Sequence, residues 1–332
     1  MDSVTQIALG AAVGEAVLGR KIGAKAALVG AICGTLPDLD SFISYGDAVA
    51  SVTYHRSFSH SLLVLALISP LIAKVVTKVL NQPPDLFGKW FLLVFLVLIT
   101  HPLLDTFTVY GTQLFWPFIE HPFSGSTIFI IDPAYTLPLA LGVLTALFLS
   151  RQSALRVYIN FAGLSLSSLY LVWTVGAKFH MEDRIKEALA EQQIEYSRLL
   201  STPAPLNTIL WRFVIMVEGG YYEAYYSILD RSHEVDFVFY PDDKALLASL
   251  YDHWPVTRLQ WFTHGFYSVH ASDDSLLMTD LRMGVEPNYA FVYEVAKIDE
   301  LELRPVSSRS LPGEFGFEQV ADLWHRAMNP VR

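Results

Sequence analysis

The sequence predicts an α-helical membrane domain of about six apolar segments, the first two either spans or re-entrant hairpins, followed by a soluble α+β domain with a small antiparallel sheet. Three observations carry that reading. Of 332 residues, 52% are hydrophobic and 17% charged, against about 25% charged in ordinary soluble domains, and mean hydropathy is +0.36. Residues 1–177 hold nine acidic and nine basic side chains, so the net charge of -10 lies wholly in the 24 acids and 14 bases that follow. That boundary coincides with the end of the apolar runs. It divides the chain into a polytopic membrane domain (1–177), a charged linker helix (178–205) and a soluble acidic domain (206–332).

The first two apolar stretches, Val4–Leu18 and Ala24–Leu36, are rich in Gly and Ala, which suits close helix packing in a membrane. Four more follow at Ser61–Val76, Trp90–Leu104, Ala134–Leu149 and Leu155–Ala177. About 20 apolar residues are needed to span the hydrocarbon, so the shorter runs are expected to tilt or to be buried by neighbours. Arg20 and Lys21 follow the first apolar stretch instead of preceding it, so no cleavable signal peptide is expected. With all six taken as crossings, Arg20, Lys21, Lys25, Lys74, Lys78, Lys89, Arg151 and Arg156 share one face. The positive-inside rule makes that face cytoplasmic. The amino terminus, loops 37–59 and 105–133 and everything after 177 then lie on the extracytoplasmic side of the inner membrane.

Beyond the last span, Glu182–Leu200 reads as a polar helix ended by Pro203 and Pro205. Thr208–Val217, Tyr221–Leu229, Val235–Phe239, Arg258–Thr263, Ser275–Leu281 and Tyr289–Val295 read as strands, being short, aromatic and β-branched, with Gly, Pro, Asp and Asn between them. Helices are expected at about 242–251 and 317–328.

The composition narrows the chemistry. A single Cys33 permits neither an internal disulfide nor a cysteine-based zinc site, so a metal must be held by His and carboxylates. The negative charge argues against nucleic acid. No GxSxG, P-loop or dinucleotide fingerprint occurs.

Polar residues gather where apolar runs end. Pro37-Asp38-Leu39-Asp40 closes the second, His55-Arg56-Ser57-Phe58-Ser59-His60 opens the third, and His101-Pro102-Leu103-Leu104-Asp105 ends the fourth. His101 and Asp105, at i and i+4, leave one helix face together. Ionisable groups bordering apolar spans are costly without a partner or a function. Singly, each has an ordinary explanation: Asp38 or Asp40 capping a turn, His55 or His60 in a wet loop, Asp132 capping the fifth span. Their convergence on one predicted face favours a metal. The candidate ligands are His55, His60, His101, Asp105, Asp38, Asp40, Asp2 and Asp132, a set suited to zinc first, then manganese or iron. Asp38 and Asp40 are also candidate proton acceptors. Arg56 would grip an anionic group, with an ion pair to Asp38, Asp40 or Asp47 as the alternative. Glu15, deep in the first segment, is expected to make a helix–helix hydrogen bond.

These motifs resemble those of the YdjM-like membrane proteins, described as membrane-bound metal-dependent hydrolases. The matching residues are Met1-Asp2-Ser3-Val4-Thr5-Gln6 with Gly10, the three motifs above, Thr108-Val109-Tyr110-Gly111, Asp132-Pro133, Trp211-Arg212 and Asp280-Leu281-Arg282-Met283-Gly284. Many relatives carry histidine where this chain has Gln6, and an amide is a poor zinc ligand. The resemblance implies hydrolysis, with the metal candidates as ligands. The depth of the site suggests an ester or phosphoester of an amphiphile, such as a membrane lipid or lipid-linked phosphate. The alternative is a metal-stabilised membrane anchor whose outer domain binds an envelope protein. In that domain Arg212 and Arg282 are expected either to meet an anion or to pair internally with Glu218 or Asp280.

Overall fold

The computed structural model describes residues 1–299, 302–313 and 316–331. Its helices, in chain order, are α1 (Ser3–Ile22), α2 (Ala24–Thr35), α3 (Ala48–Tyr54), α4 (Leu62–Val79), α5 (Phe87–Asp105), α6 (Pro133–Phe148), α7 (Ala154–Glu191), α8 (Trp254–Phe262) and α9 (Phe317–Met328). The chain divides into two compact units. One comprises Met1–Phe42 and His55–Val175, and the other Ile43–Tyr54 and Gly176–Arg332.

In the membrane unit all six apolar stretches are helical. Leu62–Val79, Pro84–Asp105 and Ala154–Glu191 are long and apolar enough to cross a bilayer, whereas Ala24–Thr35 and Pro133–Phe148 are shorter. At about 1.5 Å per residue, α2 rises roughly 18 Å, well short of the ~30 Å hydrocarbon core. Three helices thus meet the length and the apolarity of a span together, while α1 has the length, at 20 residues, with a smaller, Gly- and Ala-rich apolar surface.

Helices α1 and α2 pack backbone to backbone. A Cβ built on Gly30 would lie 2.0 Å from the Gly10 carbonyl oxygen, and one on Gly10 would lie 2.3 Å from that of Gly30. Only glycine permits this approach, which yields dispersion contacts where lipid offers no hydrophobic drive. Glu15 does bond across to another helix, as an ion pair. Its carboxylate receives Arg156 Nε at 2.6 Å and Nη2 at 2.7 Å, both residues being buried. Satisfying two charges at once is what makes them tolerable in an apolar unit.

The second unit, called the outer unit after the side that the basic loops predict for it, is built on two four-stranded antiparallel sheets. The first, ordered β1 (Arg198–Pro203), β2 (Leu210–Val217), β3 (Gly220–Ser227) and β4 (Val238–Pro241), buries Trp211, Phe213 and Ile215 against Met181, Ile185 and Leu189 of α7. The second runs in the spatial order β10 (Glu302–Leu311), β9 (Val292–Asp299), β6 (Ser275–Asp280) and β5 (Tyr267–Ser272), and its core includes Val256 and Leu259 of α8. A two-stranded ribbon joins β7 (Gly284–Val285) to β8 (Asn288–Tyr289).

Three local expectations change. The helix read over Glu182–Leu200 stops at Glu191, and Arg198–Pro203 is a strand, because Leu200–Pro203 bury against β2 instead of continuing a polar face. The strand read at Arg258–Thr263 is the end of α8, where Val256, Leu259 and Phe262 recur at helical spacing behind Pro255 in the first turn. The expected helix near 242–251 is a 3-10 helix, Lys244–Leu250, and the one at 317–328 is α9. Arg212 and Arg282 both pair internally. Arg282 holds Asp280, and Arg212 holds Glu223 in place of the anticipated Glu218.

Candidate metal centre

Three chain segments bring four ligand atoms to one point. After α2 the chain makes a 3-10 turn, Pro37–Phe42, that carries Asp38. A second short turn, Phe58–His60, presents His60 just before α4, whose first turn is capped by the Ser61 hydroxyl. The last turn of α5 supplies His101 and Asp105 from one face. His60 Nε2 lies 3.2 Å from His101 Nε2, 3.3 Å from Asp38 Oδ1 and 3.3 Å from Asp105 Oδ2. His101 Nε2 lies 3.4 Å from each of the same carboxylate oxygens. Bonds of about 2.0–2.1 Å from a tetrahedral ion place its ligands about 3.3–3.4 Å apart. Five of the six ligand–ligand separations thus have the size zinc requires, and all four atoms lie within 4.8 Å of one another.

The hydrogen-bond partners show why a cation fits. His101 Nδ1 lies 2.7 Å from the Gly34 carbonyl, which can only accept, so Nδ1 carries a proton and Nε2 is the nitrogen turned to the group. The Ser59 hydroxyl donates to Asp40, so its oxygen accepts from His60 Nδ1 at 2.9 Å and turns His60 Nε2 to the same point. Among the described residues, Asp38 Oδ1 and Asp105 Oδ2 are buried without a hydrogen-bond partner. Two ring nitrogens and two carboxylate oxygens thus face one point, an arrangement that a positive charge there, a proton or a metal ion, stabilises. The Asp38 side chain is 23% exposed, whereas those of His60, His101 and Asp105 are at most 1% exposed.

The remaining candidates stand around this group or away from it. Asp40 accepts from His55 Nδ1 at 2.7 Å, from the Arg56 backbone N–H at 3.0 Å and from the Ser59 hydroxyl. Burial works against its ionisation, but His55 and Ser59 outweigh that and hold the carboxyl below its ordinary 3.8. His55 is therefore a partner of Asp40, outside the group of four. Arg56 is 3% exposed and sits at φ 61°, a left-handed conformation that a non-glycine residue adopts at a cost. Its Nε lies 3.5 Å from Asp105 Oδ2, its Nη1 3.4 Å from Thr108 Oγ1, and its guanidinium 5.1 Å from the Tyr110 ring centroid. Asp2 caps α1, accepting from the Val4 and Thr5 amides at 3.0 and 3.1 Å. Asp132 caps α6, accepting from Ala134 at 2.9 Å and from the Tyr170 hydroxyl at 2.8 Å. Neither belongs to the four-ligand group.

Sequence reasoning missed the groups that orient the ligands. Gln6 Nε2 donates to Asp105 Oδ1 at 3.1 Å, and the Met1 amino group donates to the same oxygen, leaving Oδ2 for the centre. The Gln6 position was a visible signal, since an amide that cannot ligate well can still donate. Nothing in the sequence marks the Gly34 carbonyl, a group every residue possesses.

The fold and this centre together define a helical membrane protein with a buried two-histidine, two-carboxylate group able to hold a metal ion. The chain belongs to the YdjM inner membrane protein family, whose signature matches residues 1–181. It is also similar to the uncharacterized protein YfhP of Bacillus subtilis (strain 168), at 24% identity over 327 residues, 92% of this chain and 93% of the relative. No solved structure matches it.

Proposed function

We propose that this protein is a membrane-embedded, metal-dependent hydrolase of an ester or phosphoester, acting on a lipid or lipid-linked substrate at the extracytoplasmic face. The convergence of His60, His101, Asp38 and Asp105 on one ion-sized point carries the reading. Zinc suits the donor set and the spacing. A divalent ion there would polarise the reacting oxygen and lower the pKa of water toward neutrality. The protein's own groups divide the remaining work. Asp38 is the one partly exposed member, so its second oxygen, Oδ2, is the carboxylate atom we assign to take a proton. Arg56 sets a fixed positive charge beside Asp105 for an anionic group. Asp40 holds His55, Arg56 and Ser59 in place. Leu39, Phe42 and Phe58, neighbours in sequence of the site residues, expose apolar side chains, as an amphiphilic substrate requires.

One observation favours a second reading. Four protein ligands complete a tetrahedron, which is the arrangement of structural zinc sites, so a metal-stabilised anchor for an envelope partner is the alternative. Purified protein, with elemental analysis and turnover of chromogenic phosphodiesters and esters, separates the two. The hydrolase reading expects a bound divalent ion and turnover, both lost in His60→Ala and Asp105→Ala. A retained ion with no turnover of phosphodiester, ester or extracted lipid would leave the anchor reading. Full metal occupancy in both variants would place the site elsewhere.

A further inference from the structure

The chain leaves the membrane unit after Phe42, gives Ile43–Tyr54 to the outer unit and returns at His55. The ligand Asp38 lies just before this excursion and His60 just after it. A loop joining two membrane helices needs only polar residues, yet this one contributes a capped helix and a core side chain to another unit. Asp47 Oδ1 accepts from the Val49 and Ala50 amides at 2.9 and 3.0 Å and so caps α3. Asp47 Oδ2 accepts from the Ser308 amide at 2.8 Å, and the Ser308 hydroxyl donates to Oδ1 at 2.5 Å while accepting from Val49 N at 2.9 Å. Val49, 0% exposed, packs with Val256, Leu259 and Val269. Arg258 Nε donates to Thr53 Oγ1 at 3.1 Å.

Within the membrane unit the two ends of the excursion are tied together by Asp40. Its carboxylate takes His55 Nδ1 and the Arg56 amide from the returning strand of chain, and the Ser59 hydroxyl that in turn receives His60. The chain that the outer unit grips at 47–53 is therefore continuous, at both ends, with turns whose hydrogen bonds end on ligands.

We propose that Asp47, Val49 and Ser308 are positioning residues of the metal centre. The outer unit's hold on α3 fixes the turns that carry Asp38 and His60, so metal affinity and the stability of that hold are linked, reciprocally as linkage demands. The inference rests on the reading of the four-ligand group as a metal centre.

The test uses the full chain in lipid nanodiscs, loaded with zinc alone. Asp47→Ala and Ser308→Ala loosen the grip, whereas Asp47→Asn keeps the N-cap and the Ser308 hydroxyl contact on Oδ1, loses only the acceptor for the Ser308 amide, and is the partial-rescue variant. Arg326→Ala is the control, because it breaks the Arg326–Asp230 pair of the same unit without touching α3. Zinc release into excess chelator should be about tenfold faster in the two alanine variants, with tenfold equal to about 1.4 kcal/mol. Release should return toward wild type in Asp47→Asn and be unchanged in Arg326→Ala. Amide exchange at 37–42 and 55–60, measured with and without zinc, should rise only in the loosened variants. Wild-type release and exchange in Asp47→Ala would overturn the inference. If the wild-type protein takes up no zinc, the metal-centre reading fails and the inference falls with it, whereas zinc uptake with unchanged release in Asp47→Ala overturns the inference alone.

Discussion

Gly30→Ala adds one methyl group where the structure has no room. Its Cβ would stand 2.0 Å from the Gly10 carbonyl oxygen, 2.8 Å from the Gly10 carbonyl carbon and 3.1 Å from the Gly14 Cα. These are backbone atoms, so no rotamer relieves the clash. Reaching ordinary contact at about 3.4 Å opens the α1–α2 pair locally by roughly 1.4 Å. One turn further along α2, Gly34 carries the carbonyl that fixes His101, and Asp38 follows in the next turn. Metal–ligand distances tolerate only about ±0.2 Å, so a fraction of that opening displaces Asp38 and frees the His101 ring to turn. Losing the group that orients a ligand typically costs about 10–100-fold in metal affinity. The assay is zinc competition against a chromophoric chelator, followed to completion, with circular dichroism to confirm that the helices persist. Gly88→Ala is the matched control, since a Cβ there meets nothing within 4 Å. Wild-type affinity in a folded Gly30→Ala protein, or an equal loss in Gly88→Ala, would refute the link from helix packing to the centre.

Two further outcomes are expected. Glu223 is buried, which alone would raise its pKa, but Arg212, bound at 3.0 Å through both Nε and Nη2, holds it below its ordinary 4.5. A folded pKa below the unfolded one means a contribution that is complete above about pH 4.5 and lost as the pH falls further. Thermal unfolding followed from about pH 7 to pH 3 should show this acid-side loss in the wild type and not in Glu223→Gln, which should be weaker by about 3–5 kcal/mol at neutral pH for leaving Arg212 unpaired. An equal acid-side decline in both would assign it to other carboxylates. For topology, a reporter fused at the carboxyl end should behave as extracytoplasmic, and cytoplasmic activity would reverse the sidedness read from the basic loops.

The centre was legible where chemistry shows in residue type. His60, His101, Asp105 and Asp38 stand in three short motifs at the ends of apolar runs, and apolar flanks make such residues conspicuous. Asp2 and Asp132 carry the same residue type in similar places, but each ends up receiving the first amides of a helix. Type and position alone cannot separate a cap from a ligand, because both need a carboxylate at a helix end. Arg258–Thr263 misled for a related reason: Leu259 and Phe262 suit a strand or a helix equally, and Pro255 and the buried spacing decided it. The contribution of 43–54 to the outer unit lay beyond local pattern, since Val49 announces its burial but not the unit that buries it.

Asp38 is the one ligand that touches solvent, at 23% exposure, while the other three are sealed. Of the four groups, Asp38 is the one through which an ion held there would first meet solvent, with the other three still buried around it. On the metal-centre reading, exchange of the ion would therefore begin at that carboxylate. An ion acquired as the chain folds would then reflect the metals supplied during growth as much as those of the buffer, which makes the growth medium a variable to control in any metal analysis.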